Sequence, residues 1–394
     1  MNIPKFSSLA GQIYPIGSMG YGDEQICAIN TTLEDFLSYS DTLEKNGYKL
    51  YSKSSLSAGS FNPYPENLFY TFCGEKENVF LSFNPSMHLT RIVETPKTSL
   101  PEIDNKEKNF DSVTAASITQ YPVKIGMCYI AQLTNGNFIM IDGGSFDDDD
   151  VSGIYSFLMK KSADKTPIIE NWIFTHPDVD HIELATHFLN RYLGKIKVLA
   201  FTYQFCDPDL ITNKKIVDQV KTDTQALNDA IAKYENAVVF TPHMGQTYYY
   251  SGLNVVFLWT CEDSYPAIFN NFNEVSLALK INFQNGKSAL ILGDCMHETC
   301  RRIAHTYGEY LKCDYLQVTH HGLIGGDKML YHFADPDVCF WPTPEERFLG
   351  KLKNQKYQWC IGEGGCDYNA FLRDNKIKKR IHYPNKDIIT ITND

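Results

Sequence analysis

Trp172-Ile173-Phe174-Thr175-His176-Pro177-Asp178-Val179-Asp180-His181 is the stretch on which the reading of this chain turns. Three apolar residues close a buried strand, and two histidines and two aspartates then arrive just before a helical pattern opens. Pro177 and Asp178 break the strand, while Ile182, Ala185, Phe188, Leu189, Tyr192 and Leu193 recur at the spacing of one helix face. Asp180 and His181 are thereby placed at a helix N-terminus. There the positive end of the dipole favours a carboxylate, and unpaired N–H groups stiffen the loop. Imidazole nitrogens combined with carboxylate oxygens suit zinc, with manganese or iron as harder alternatives. Taken alone, such a loop is as readily a solvated, Asx-capped turn, so distant parts of the chain have to decide.

Two later stretches repeat the design. Asn285-Gly286 turns an alternating strand (Leu277, Leu279, Ile281, Phe283) into the apolar return strand Lys287 to Leu292, which ends in Gly293-Asp294. A carboxylate at the end of a buried strand needs a partner to offset its desolvation, and a cation is the obvious one. Asp314 to Thr319 then reads as a strand ending in His320-His321-Gly322. Adjacent side chains at a strand end point in different directions, so one histidine is expected on the metal and the other is left for substrate. His297 and Glu298 fall on the following turn or helix and are placed outside the site, and His243 reads as a structural or solvated loop histidine. Asp147 to Asp150 precede the helical pattern Val151 to Lys161. Consecutive carboxylates repel, so this run is assigned to helix capping rather than ligation.

At 394 residues, the length suits a large domain plus a smaller one. The net charge of -11 argues against an extended surface for nucleic acid or anionic lipid. The opening residues show no basic segment followed by an apolar run, and no apolar stretch approaches the roughly 20 residues needed to span a bilayer. The eleven scattered cysteines form no Cys-x-x-Cys pair and read as reduced core residues, so a cytoplasmic protein is expected.

Residues 1–112 read as a small, aromatic-rich α+β domain plus linker. It has a strand at Gln25 to Asn30, a helix capped by Thr32 with Asp35 and stopped at Asn46-Gly47, and strands near Lys49, Asn67 and Asn78. Its aromatic residues, among them Tyr51, Phe61, Tyr64, Phe69 and Phe72, suit a sheet surface and core. The polar run from Pro96 to Ser112 suits a linker. Residues 113–394 carry the chemistry. A hairpin about Asn135-Gly136 ends in Asp142-Gly143-Gly144, ahead of the opening motif, and the strand Ile388 to Thr392 ties the C-terminus into a sheet.

The ordered set His176-x-Asp178-x-Asp180-His181, Gly293-Asp294 and His320-His321-Gly322, with Asp142-Gly143-Gly144 upstream, resembles the metallo-β-lactamase superfamily of metal-dependent hydrolases. Within it the chain looks most like the β-lactamase-like domain of competence DNA-uptake channel proteins, whose Asn-x-x-Ser-Leu segment matches Asn273-x-x-Ser276-Leu277. The resemblance implies an α+β fold, an αββα sandwich with metals at the strand ends along one edge. It places His176 and Asp178 on one metal, Asp180, His181 and His320 on a second, and Asp294 bridging both; His320 is favoured over His321 because it directly follows the strand. The sequence departs from the family in lacking a clear counterpart of the histidine that usually follows the first motif. In place of the competence proteins' late His-Pro it has Lys356-Tyr357-Gln358-Trp359.

The function expected from these residues is metal-dependent hydrolysis. Two divalent ions about 3.5–4 Å apart, zinc favoured, lower the pKa of water enough to supply hydroxide near neutral pH. The catalytic residues are read as Asp180 and His321, with His321 donating a proton or hydrogen bond to the leaving oxygen. The carboxylate-rich ligand set favours a phosphodiester or other phosphate ester as the small-molecule substrate. An ester, lactone or amide hydrolase of the same fold, and a non-catalytic binding protein with a depleted site, are the alternatives. Oligomeric state and the role of the N-terminal domain are left open.

Overall fold

The computed structural model describes every residue except 1, 2, 9, 21, 60–65, 103–113, 265, 266, 268, 350–367, 375, 377 and 394. Its first part holds β1 (Gln12–Gly17), β2 (Glu24–Ile29), α1 (Leu33–Lys45), β3 (Lys49–Leu56), β4 (Asn67–Cys73), β5 (Glu77–Asn84) and β6 (Leu89–Pro96). The strands form one sheet in the order β1-β2-β6-β5-β4-β3. Thr32 accepts from the Asp35 N–H, and the Asp35 carboxylate accepts from the Thr32 N–H, a capping box worth about 1 kcal/mol. α1 lays Phe36, Tyr39 and Leu43 on Phe72, Val79, Leu81 and Ile92 of the sheet.

Neither β1 nor β6 is foreseen from the sequence. β6 is a central strand whose Arg91 and Glu94 look like surface residues, yet both are buried. Arg91 can be buried because its guanidinium donates to Gln25 and lies 3.9 Å from Asp263. Most of the expected linker and its boundary at residue 112 lie outside the described residues, as do Phe61, Tyr64 and Lys356 to Trp359.

The chain then runs through β7 (Ala116–Gln120), β8 (Tyr129–Gln132), β9 (Phe138–Ile141), α2 (Asp148–Lys161), β10 (Ile168–Ile173), α3 (Val179–Arg191), β11 (Lys197–Val198), β12 (Ala200–Thr202), α4 (Lys214–Ile231) and β13 (Val238–Phe240). It continues through β14 (Thr247–Tyr250), β15 (Leu253–Trp259), the short α5 (Cys261–Ser264), β16 (Ala278–Phe283), β17 (Ser288–Ile291), α6 (His297–Tyr307), β18 (Tyr315–Gln317), α7 (Lys328–Ala334), β19 (Val338–Trp341), β20 (Ile381–Pro384) and β21 (Ile389–Asn393). One sheet has the order β13-β12-β10-β9-β8-β7-β21, with β11 beside β10; the other runs β14-β15-β16-β17-β18-β19-β20. β9, β10 and β12 are parallel in the first, as are β17, β18 and β19 in the second.

The pleat explains the layering, because successive side chains point to opposite faces. Ile139 and Ile141 enter the core between the two sheets, where they meet Phe257, Leu279, Ile281 and Ile291. Phe138 and Met140 face the other way, onto Ile154, Leu158, Ala185 and Phe188 of α2 and α3. Leu290 and Leu292 likewise leave the second sheet to pack on Cys300, Ile303, Tyr307 and Tyr331 of α6 and α7. Helix, sheet, sheet, helix is the αββα sandwich that the resemblance implies.

The acidic run caps α2: Asp147 accepts from the Asp149 and Asp150 N–H groups, and Lys124 pairs with Asp147 at 2.9 Å. Along α3 the expected apolar face is buried from Ile182 to Leu189, whereas Leu193, two residues past the helix, is exposed. Among the described residues every cysteine is a free thiol, and no helix is long and apolar enough to cross a membrane.

Candidate metal centre

Four strand ends converge at one edge of the sandwich, two from each sheet. β9 leads into Asp142, and β10 leads through Thr175 to His176 and the first turn of α3, which carries Asp180 and His181. β17 leads through Gly293 to Asp294, and β18 through Thr319 to His320 and His321. In parallel strands the carboxyl ends lie together, and loops from several strands can share one crevice there. Gly293 makes the approach between the sheets possible. It adopts φ +53, and a Cβ on it would lie 3.0 Å from Thr175.

Oδ2 of Asp294 is the hub. It lies 3.2 Å from Nε2 of His321, 3.4 Å from Nε2 of His181, 3.8 Å from Nε2 of His320 and 3.9 Å from Nε2 of His176. His321 Nε2 is also 3.2 Å from Asp180 Oδ2, and His176 Nε2 is 3.7 Å from Asp178 Oδ2. Two groups have ligating atoms within 4.8 Å of one another: His176, His181 and Asp294; and Asp180, His181 and His321. Despite this crowding, Nε2 of His176, His181 and His321 and Oδ1 of Asp294 are buried without a hydrogen-bond partner among the described residues. A buried polar atom left unpaired costs about 1–3 kcal/mol, and here four such atoms share one place. A cation is what this donor set fits.

The outer contacts of the histidines settle which nitrogen faces inward. His181 Nδ1 lies 2.7 Å from the Asp142 carboxylate and His321 Nδ1 lies 3.0 Å from the Pro342 carbonyl; both partners can only accept, so each Nδ1 carries the proton. Thr175 Oγ1 donates to Asp142, which leaves its lone pair to accept from His176 Nδ1 at 3.0 Å. When neutral, each ring therefore turns an Nε2 lone pair into the cluster, the arrangement that second-shell partners impose at metal sites. His320 differs. Its Nδ1 meets the Ile324 carbonyl, and its Nε2 accepts from Asn273 Nδ2 at 3.2 Å, so its lone pair is already engaged.

It is His321, not the His320 favoured from the strand end, whose ring nitrogen falls in a group of candidate ligand atoms. Both histidines adopt left-handed backbone, φ 50 and φ 55, so the chain coils directly after Thr319 and brings the second ring, not the first, over Asp180. Asp178 borders His176 but belongs to neither group, and its side chain is partly exposed. His297 faces the Gly326 carbonyl and stacks on Tyr368, and Glu298 pairs with Arg301, away from the cluster. His243 is buried, stacked on Phe80 and held by Glu262. Asp142 is the residue whose part the sequence reading missed. It ends an apolar strand just as Asp294 does, so the same desolvation argument could have found it.

The charges are strongly coupled in the absence of a cation. Burial alone would raise the Asp294 carboxyl, but His321, His181 and His320 hold it well below the usual range. Asp180 is lowered in the same way by His181 and His321. Burial opposes protonation of His321, yet Asp294 and Asp180 push it up to about 10, and His181 is raised well above its ordinary value by Asp294 and Asp142. Such a site holds positive charge firmly, as protons or as metal.

No family model matches the chain, and no curated protein matches it in sequence. Solved structures with some likeness include the metallo-β-lactamase fold protein YhfI from Bacillus subtilis, 11% identical, covering 57% of this chain and 85% of that one, with a TM-score of 0.35. CmlA, a diiron β-hydroxylase from Streptomyces venezuelae, is 12% identical over 72% of this chain and 55% of its own, with a TM-score of 0.44. MEM-A1, a subclass B3 metallo-β-lactamase from a soil metagenome library, is 15% identical over 54% of this chain and 80% of its own, with a TM-score of 0.32. At such identities the site's own chemistry has to support the functional reading.

Proposed function

We propose that this protein is a metal-dependent hydrolase acting on a phosphodiester or other phosphate ester. The observation that carries the reading is the convergence of Nε2 of His176, His181 and His321 with Oδ1 of Asp294, all buried and without a hydrogen-bond partner among the described residues. Asp180, His181 and His321 would hold one ion and His176 and Asp178 the other, with Asp294 between them. His181 has a single nitrogen to offer, because Asp142 occupies its Nδ1. When bound, two divalent ions, zinc first and manganese or iron next, supply a water of lowered pKa and neutralise charge on an anionic substrate. Asp180 orients His321, and Asn273, whose amide spends one N–H on His320, stands beside them with a second N–H to offer a substrate oxygen. The carboxylate-rich donor set and the competence-domain resemblance favour the phosphate ester.

The test is elemental analysis of protein purified without chelator, followed by bis(4-nitrophenyl) phosphate, 4-nitrophenyl acetate and a chromogenic lactam as substrates. We expect near two ions per chain and turnover of the phosphate, both lost in Asp294→Ala. Turnover of the acetate or lactam alone would replace the phosphate reading with an ester or amide hydrolase. The position of Asp178 outside both ligand groups motivates a second reading, a non-catalytic binding protein with a depleted first site. Failure to take up metal after reconstitution would favour it.

A further inference from the structure

The turn that delivers the two histidines is intrinsically unfavourable. His320, His321 and Gly322 adopt φ 50, 55 and 75 in succession, and of these only glycine takes left-handed backbone freely. Two other residues in that region persist only where their surroundings over-determine them. Inside the turn, the Gly322 N–H reaches the Thr319 carbonyl at 3.0 Å and the Leu323 N–H reaches the His320 carbonyl at 2.7 Å. The carbonyls of Gly322 and Leu323 both accept from Nδ2 of Asn369, at 2.9 and 3.2 Å. Asn369 lies between β19 and β20 in the chain and is 2% exposed. Its Oδ1 accepts from the hydroxyl of the fully buried Tyr331 on α7 at 3.0 Å, and that hydroxyl takes a hydrogen bond from the Thr319 backbone. The Tyr331–Asn369 pair therefore grips the turn on both sides of the histidines, at Thr319 before them and at Gly322 and Leu323 after them. Gly322 rests on the Trp341 ring, where a Cβ would lie 2.5 Å from a ring carbon.

We propose that Asn369 is a positioning residue of the metal centre, holding the His320–Leu323 turn so that Nε2 of His321 points at Asp180 and Asp294. The inference rests on the reading of His321 as a metal ligand. The bond from His321 Nδ1 to the Pro342 carbonyl sets how the ring is rotated, whereas the turn sets where the ring begins. A displacement of about 0.5 Å is enough to spoil a ligand's geometry. Two carbonyls call for two N–H donors and the Tyr331 hydroxyl calls for an acceptor; a primary amide supplies all three, and neither a carboxylate nor an apolar side chain does.

The experiment is competition titration of zinc against a chromophoric chelator on the metal-depleted full chain, together with the urea midpoint without metal. The affinity read is that of the ion given up in His321→Ala. Asn369→Leu should weaken it about tenfold, as loss of a partner that orients a ligand does. Tyr331→Phe should weaken it by less, because Asn369 keeps its own bonds to the turn. Asn67→Leu is the control for stability. Asn67 on β4 is equally buried and also donates to two carbonyls, those of Leu56 and Thr306, at the far end of α6 from Asp294. It should lower the metal-free urea midpoint as Asn369→Leu does, with zinc affinity unchanged. An equal loss of affinity in Asn67→Leu, or wild-type affinity in a folded Asn369→Leu, would overturn the proposal. Should Asn369→Leu not fold, wild-type affinity in Tyr331→Phe would overturn it. If His321→Ala keeps every ion that the wild type binds, the ligand reading falls and this inference with it; loss in His321→Ala without loss in Asn369→Leu removes the inference alone.

Discussion

Asp142 Oδ2 lies 2.7 Å from His181 Nδ1, with both side chains fully buried and the same carboxylate accepting from the Thr175 N–H and hydroxyl, each at 2.7 Å. One aspartate at the end of β9 thus orients His181 directly and His176 through Thr175. Replacing it should disturb two ligands at once. For Asp142→Asn we expect a 10–100-fold loss of zinc affinity, within the range for such outer-shell partners, in a protein that still folds. Competition titration against a chromophoric chelator measures it; unchanged affinity would remove Asp142 from the site.

His320 and His321 should separate cleanly. His321→Ala removes a lone pair that faces Asp180 and Asp294, so it should lose close to one ion per chain and most turnover. His320→Ala should keep its metal, because that ring's Nε2 is engaged by Asn273. Elemental analysis of the two variants side by side decides between them. Metal loss in His320→Ala alone would restore the expectation drawn from the strand end.

The pH response of the chelated protein has a definite sign. His321 is raised from 6.5 to about 10, so the folded state binds that proton more tightly than the unfolded chain. Its contribution to stability is full below about pH 6.5 and is lost as the pH rises towards 10. With chelator, the urea midpoint should therefore fall between about pH 7 and pH 10. With zinc restored the fall should be smaller, because the ion takes the proton's place, and titration in buffers of different ionisation enthalpy should show proton release on binding.

Gly126 adopts φ +98 beneath the site, and a Cβ there would lie 1.9 Å from the carbonyl oxygen of Asp180. Gly126→Ala should thus move Asp180 as well as strain its own backbone, at about 1–3 kcal/mol. We expect a lower urea midpoint together with reduced metal content. A stability loss with full metal content would show that the strain is absorbed elsewhere.

The C-terminal strand β21 pairs with β7 from Ile389 opposite Gln120 to Asn393 opposite Ala116, and the Tyr315 hydroxyl donates to Asn393 at 2.9 Å. A chain ending at Tyr383 would expose β7, a fully buried strand, as an open edge. It should be insoluble on expression; soluble, metal-binding protein would contradict this.

By itself, the amino-acid sequence determined many of the elements and the candidate ligand types. Periodicity placed β9, β15, α1 and α3 within a few residues, because apolar alternation and helix caps are local properties. The strand-end positions of His176, Asp180, His181 and Asp294 were legible for the same reason, since a carboxylate or imidazole closing an apolar run stands out locally. What lay beyond reach was decided by contacts between residues far apart in the chain. β6 is central although its Arg91 and Glu94 look like surface residues, because Gln25 of the neighbouring strand β2 and Asp263 of the distant α5 meet Arg91. Asp142 joins the site only because β9 and β10 lie side by side and parallel. That His321 rather than His320 turns towards Asp180 rests on a left-handed coil, and the engagement of His320 rests on Asn273, forty-seven residues away along the chain. Local spacing specifies which residues end each strand; only packing of the two sheets specifies which of their lone pairs remain unengaged and meet.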